Sequence, residues 1–302
     1  MPVAIAVPVR RKRCRISPIP STGLPEFDAK RSERFESYVA RFRTVFQRSD
    51  QFLRFRAYLR GLLEPGERKN VEAIAASAAG AITTPADLAQ ALQHFVSHSP
   101  WDSDRLQAAV RKEVFGDSSA EGTTLVVHDG AFPKKGRHSV GVQRQFARSL
   151  GCKLNCQLGV FVGQFGPNGY FPLAARLYMP AGWLRENPEL SERLMPEEFR
   201  EPKGKGEIAL ELVRRLFAEG VRHDSLIAEG AYLSGIELGL GLEEVGIRAL
   251  PDDEDRLAEA LGQFERLKSL LGMDHFEGRT WHGWHHHISL VFAAWGFLKF
   301  EG

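Results

Sequence analysis

Cysteine is scarce, with three residues in 302, at positions 14, 152 and 156. An odd and sparse set cannot close a disulfide framework, so a reducing, cytoplasmic setting is expected. Long apolar runs are missing as well. The stretch from Ile288 to Leu298 is eleven residues, where a membrane span needs about twenty, so neither a transmembrane segment nor a membrane partner is expected. The opening MPVAIAVPV is followed, not preceded, by Arg10, Arg11, Lys12, Arg13 and Arg15, the wrong side for a secretory signal. There is little excess of charge: 40 Lys and Arg against 38 Asp and Glu leave a net +2, so the distribution of charge says more about a polyanionic partner than the sum does. No GxGxxG stands at a strand-to-helix turn, and GxxxxGK[ST] and GxSxG are absent. Dinucleotide, P-loop and serine-hydrolase chemistry have no support.

What is present divides the chain in two, as its length suggests at roughly 150 residues per domain. Residues 1–30 combine the basic cluster with a proline-rich run and no periodicity, which predicts a disordered basic arm, either touching phosphate or simply solvated. From 31 to 118 the apolar spacing is helical. Phe35, Val39, Phe42 and Phe46 form one stripe, and helices are predicted over 31–47, 52–63, 68–79, 85–97 and 101–115. Interleaved arginines fit a DNA backbone or an ordinary solvated face. From 119 to 302 the period changes. Strands are predicted over 123–130, 138–146, 155–166 and 171–180, then a helix over 206–219, a strand over 225–230, and helices over 236–244, 254–271 and 284–298. Strands first adjoin and then alternate with helices, the order of a mixed α/β core.

Asp129 ends an apolar strand and precedes Gly130, which suits a metal-binding oxygen beside close-approaching backbone, or a plain Asp-Gly turn. Glu229 holds the same place at the end of SLIAEG. Two such carboxylates can converge on Mg²⁺, although a metal pair usually needs a third. Lys134, Lys135, Arg137 and His138 make a basic turn after the first strand, with Arg144 on the next; the turn suits a phosphate or a charged hairpin tip. His282, His285, His286 and His287 lie among tryptophans, with no nearby cysteine to complete a zinc site, so hydrogen-bonded histidines are the simpler expectation. Cys152 and Cys156 are expected as buried sulfur.

Together these pieces resemble bacterial insertion-sequence transposases of the DDE type. The run VHDGAFPKKGRHSVGVQRQ at 127–145 is similar to that family's first acidic motif, followed by NCQLGVFV at 155–162. RAYLRGLLEPGERKN at 56–70 resembles its N-terminal helical region, and LGMDHFEGRTWHGWHHH at 271–287 its tail. The resemblance implies an α/β ribonuclease H-like catalytic core preceded by an all-helical N-terminal region that engages DNA. It implies three carboxylates on two Mg²⁺ ions, with Mn²⁺ as substitute, cutting and joining double-stranded DNA at element ends near the nucleoid, with a second copy of the chain as a further partner. Asp129 matches the first carboxylate. AEGAY at 228–232 puts Glu229, one methylene longer, where the family has Asp. The third position, seven residues before Lys268, falls on Leu261, which cannot ligate a metal; Glu265, one turn on, is the substitute. Lys268 joins the basic residues expected to meet DNA. Only 31 residues lie between Glu229 and Leu261, where the family carries a long segment, so an incomplete core is expected. The resemblance thus leaves two readings, an active transposase and an inactive remnant that keeps DNA or partner binding.

Overall fold

Apolar spacing in the first third of the chain produces helices, and most of them are capped by the residue that precedes them. The computed structural model describes residues 23–79, 87–116, 122–233, 236–250 and 253–301. Most of the expected basic arm, Pro85 and the boundary near 118 lie outside the described residues. The first helices are α1 (Ala29–Ala40), α2 (Ser49–Leu63), α3 (Val71–Ala78), α4 (Leu88–Ser97) and α5 (Ser103–Phe115). Asp28, Asn70, Asp87 and Asp102 accept first-turn N–H groups of α1, α3, α4 and α5, satisfying donors that have no partner within the helix. The stripe of Phe35, Val39, Phe42 and Phe46 is buried as expected, but the helix predicted to 47 stops at Ala40 and gives way to a short 3₁₀ turn at Arg43–Val45.

The sheet follows, with β1 (Thr124–Pro133), β2 (Gln143–Ala147), β3 (Cys152–Gly166) and β4 (Gly169–Leu177). The polar segment after β4 contains α6 (Ala181–Glu186) and α7 (Pro188–Leu194), and α8 (Lys205–Ala218) leads to β5 (Ser225–Ala228). Then come α9 (Gly230–Leu233), α10 (Ile236–Glu244), β6 (Arg248–Ala249), α11 (Glu254–Leu270) and α12 (Trp281–Glu301). The strand order is β2-β3-β1-β5-β6, with β4 also on β3. β1 runs antiparallel to β3 on one side and parallel to β5 on the other. The central strand therefore delivers its C-terminal half beside the end of β5.

Two departures from the sequence reading have local causes. The strand expected over 138–146 is confined to Gln143–Ala147, because Gly141 turns the chain at φ +68°, where a side chain would press on Met179 and the Tyr178 carbonyl. β6, only two residues long, is too short for any period to announce.

Helix α12 is buried along nearly all of its length and on every side, as expected of a helix apolar all round. It packs against α2, α4 and α5 and against β4. Trp284 meets Phe132 at a centroid separation of 5.4 Å, and Phe161 lies among the rings of His128, Phe132, Phe264, Trp284 and Phe292. Among the described residues no helix is long and apolar enough to cross a membrane.

Candidate functional site

Alternation along β1 turns Leu125, Val127 and Asp129 to one face and Val126, His128 and Gly130 to the other. The second face is filled: His128 contacts Phe264 of α11 at 4.4 Å between centroids and hydrogen-bonds the Tyr170 hydroxyl at 2.8 Å. Gly130 belongs to this packing. A Cβ there would strike the Phe161 and Phe264 rings, so the glycine admits aromatic side chains and not a ligand.

On the first face Asp129 lies at the N-terminus of α8. That helix presents Ile208, Leu212 and Leu216 to the core and is thereby held on β3 and β4. Its first residue, Lys205, forms an ion pair with Asp129 Oδ2, and the half-buried lysine carries its ammonium near the Tyr178 ring. A cation at a helix N-terminus is disfavoured by the helix dipole, and the Asp129 carboxylate offsets that cost. Tyr232 of α9 donates its hydroxyl to Asp129 Oδ1 at 2.5 Å. Burial, and then the negative charge of Asp129, push the Tyr232 phenol well above its ordinary pKa, so it remains a donor.

Glu229 follows directly on β5. Its N–H donates to the Val127 carbonyl at 3.1 Å, which extends the parallel ladder by one bond, and its own carbonyl accepts from Tyr232 N–H at 2.8 Å. The next donor on β1, Asp129 N–H, is met by the Glu229 side chain: Oε2 accepts it at 2.8 Å. A carboxylate thus stands in for the missing backbone carbonyl where β5 turns into helix. Oε1 lies 3.7 Å from Arg148 Nε, and burial, joined by the nearby Asp129 charge, raises the Glu229 pKa.

This arrangement makes Glu229 a cap on the ladder, with a measurable consequence. Glu229→Ala is expected to cost about 1–3 kcal/mol in urea unfolding by leaving a buried N–H without an acceptor. Glu229→Asp, one methylene shorter, should lose most of that bond. Glu229→Gln keeps the acceptor and should stay close to the parent. An Asp variant as stable as the parent would remove the capping role.

The other expected site residues are scattered. Glu265 lies on α11, which packs on the face of β1 opposite Asp129, and it pairs with Lys268 at 3.1 Å. Lys268 is buried, and its ammonium is occupied by that pair. Lys134 donates to the Phe276 carbonyl, and burial lowers its pKa to about 8. Neither lysine presents a free cation to a phosphate. Lys135, Arg137, His138 and Arg144 are exposed. Leu261 is half-buried. Sequence reasoning missed Lys205 and Arg148 as neighbours of the acidic pair and quoted Tyr232 only as part of a motif. The one available signal was a lysine opening an amphipathic helix, against the dipole.

The histidine cluster is held by hydrogen bonds. His285 Nδ1 donates to the Trp281 carbonyl at 2.9 Å while Nε2 accepts from Leu177 N–H at 3.3 Å. His287 accepts from the Tyr58 hydroxyl at 2.9 Å on Nδ1 and faces the Gly272 and Met273 carbonyls on Nε2. His286 stacks on Trp101 at 3.8 Å with its nitrogens on the Val96 and Trp101 carbonyls. Cys156 is buried as expected, and burial pushes its thiol up to about 11, but Cys152, expected as buried sulfur too, is half-buried and disulfide-bonded.

Two-metal chemistry needs carboxylates that bridge and flank both ions. Among the described residues no three His, Cys, Asp or Glu side chains form a group able to hold a metal ion. The two carboxylates that do adjoin are bound by an ammonium, a phenol, a guanidinium and a backbone amide. The donor set does not fit a two-metal centre.

A family model described as DDE superfamily endonuclease matches residues 41–250. A probable transposase for insertion sequence element IS701 from Microchaete diplosiphon is 24% identical over 197 residues, covering 65% of this chain and 47% of that protein. The chain therefore spans about half the length of this curated relative. No solved structure matches it.

Proposed function

The chain belongs to the DDE superfamily of endonucleases, and from that premise we propose that it is a transposase-derived protein that binds double-stranded DNA without cutting it. The observation that carries the reading is the internal engagement of the acidic pair: Lys205 and Tyr232 on Asp129, and the Asp129 amide and Arg148 on Glu229, with Glu265 turned to Lys268. The family generally uses divalent metal, and no step through Mg²⁺ follows from this donor set. A ribonuclease H-like core is supported by the run β4-β3-β1-β5-β6, antiparallel as far as β1 and parallel beyond it, with the two acids at the adjacent ends of β1 and β5.

In this reading the exposed Lys135, Arg137, His138 and Arg144 hold phosphates at element ends. The helical region to residue 118 supplies further DNA contact, a homodimer is the assembly, and the nucleoid is the place of action. The abrupt passage from β6 to α11 is where the family's longer segment has been lost. Adjacency of Asp129 and Glu229 favours a second reading, in which the chain still performs Mg²⁺-dependent cleavage and strand transfer.

One experiment separates the two. The purified protein and its Asp129→Ala variant are incubated with a DNA fragment bearing the element's ends and Mg²⁺ or Mn²⁺, and binding and cleavage are followed together. The expected result is retardation of the DNA with no cutting by either protein. Cleavage that disappears in Asp129→Ala would overturn the proposal in favour of the second reading.

A further inference from the structure

The hairpin beyond the acidic pair has a one-sided charge. Residues 130–185 contain eight Lys and Arg and no Asp or Glu. Within this stretch β2 pairs with the start of β3 so that Arg144 faces Asn155 and Phe146 faces Lys153. Residues two apart on a strand, and residues directly opposite across a pair, share one side of the sheet. Arg144, Phe146 and Lys153 are all exposed, so they form one surface. Asn155 ties the preceding turn to the same side, donating to the Lys134 and Gly136 carbonyls at 2.7 and 2.9 Å, which sets Lys135 and Arg137 at its border. Lys135, Arg137, Arg144 and Lys153 make no ion pair or side-chain hydrogen bond with any described residue, unlike Lys134 and Lys268.

Phe146 is the unusual member. It is 50% exposed, and no ring or cation among the described residues covers it. Phe300, another exposed aromatic, lies under the Arg41 guanidinium and beside Tyr38. An apolar ring left open among free cations is costly in water and is well matched to a base whose own face is open, because stacking needs only a π surface while the cations follow the backbone. Paired bases inside a duplex offer no such face.

We propose that the β2–β3 hairpin is a binding surface for unpaired nucleotides, with Phe146 as the stacking platform and Arg144 and Lys153 as phosphate contacts. The proposal rests on the DNA-binding reading above and adds that the partner is DNA with unpaired bases, such as a frayed or tailed end, and not only continuous duplex. Arg148, 3.7 Å from Glu229, continues the basic surface to the acidic pair.

The test is binding of the full chain to a blunt duplex and to the same duplex with a short unpaired 3′ tail carrying 2-aminopurine. The expected result is tighter binding of the tailed DNA, by about fivefold or more for one base–aromatic stack, with a change in 2-aminopurine fluorescence. Phe146→Ala should abolish both the advantage and the fluorescence change while leaving blunt-duplex affinity unchanged. Phe146→Trp should retain them. Equal affinity of the parent for both DNAs, or a tail preference that survives Phe146→Ala, overturns the proposal and leaves the DNA-binding reading standing. A parent dimer that Phe146→Ala converts to monomer with no change in DNA preference overturns it in favour of a contact between copies. Failure to bind either DNA overturns both.

Discussion

Replacing Lys135, Arg137 and Arg144 together by alanine is expected to weaken duplex DNA binding by ~100- to 1,000-fold at 0.1 M salt, because each phosphate contact contributes about 0.9 to the slope of log K against log salt. The magnitude follows from counterion release: three lost contacts lower that slope by about 2.7, and at 0.1 M each unit of slope is a factor of about ten. All three side chains are exposed and make no internal pairs, so the variant should unfold like the parent. Replacing Lys134 and Lys268 instead should disturb stability more than the salt slope, since one holds the Phe276 carbonyl and the other Glu265. Fluorescence anisotropy over a range of salt, with denaturant unfolding alongside, checks both expectations. An unchanged slope in the triple variant would remove these residues from the DNA surface.

Acid should destabilise the protein through its buried histidines. His285 and His287 are buried, and desolvation lowers the pKa of each to about 3; Arg176 and the neighbouring His286 and His282 act in the same direction on His285, and Lys134 and His275 on His287. The backbone carbonyls of Trp281, Gly272 and Met273 oppose the shift without overcoming it. In the unfolded chain both rings take up a proton near pH 6.5. The folded form therefore binds fewer protons between about pH 6.5 and the folded values. Stability contributed by the neutral rings is complete above the unfolded pKa and falls as pH drops below it. At pH 5 the loss is about 2 kcal/mol for each ring, or about 4 kcal/mol for the two, a large share of the 5–15 kcal/mol typical of a folded domain. Guanidinium unfolding at pH 7 and pH 5 measures it. Equal midpoints at the two pH values would mean that these histidines are protonated in the folded state or are open to water.

How much of this was readable in the sequence differs by kind of feature. Periodicity located α2, α5, α8 and α11 to within a few residues, because their apolar faces are real core faces, whereas α12 was found from its apolar run. It overran where chain geometry intervened, as at Gly141, where one left-handed glycine ends a pattern that still looks like a strand. The positions of Asp129 and Glu229 at strand ends were legible, since a polar residue closing a short apolar run marks where a strand leaves the core. Their partners were not. Lys205 is 76 residues from Asp129 and Tyr232 is 103, and only the packing of α8 and α9 beside β1 joins them. Hydrogen-bonded histidines were the expectation and are what the structure holds, yet which groups those rings meet could not be read, because most are backbone carbonyls, which carry no sequence signature. The basic residues show the same limit. Composition treats Lys134, Lys135 and Lys268 alike, and only burial separates the two used internally from the one left to solvent.

The central claim is that the Asp129 and Glu229 carboxylates are occupied by the chain's own donors and do not assemble a two-metal centre. Its most direct test needs neither element ends nor activity. Mn²⁺ is titrated into the purified protein and into Asp129→Ala, and bound ion is counted by electron paramagnetic resonance, with Lys205→Met as a third sample. The account predicts no Mn²⁺ in the parent that depends on Asp129. Two equivalents of Mn²⁺ bound by the parent and lost in Asp129→Ala would contradict it.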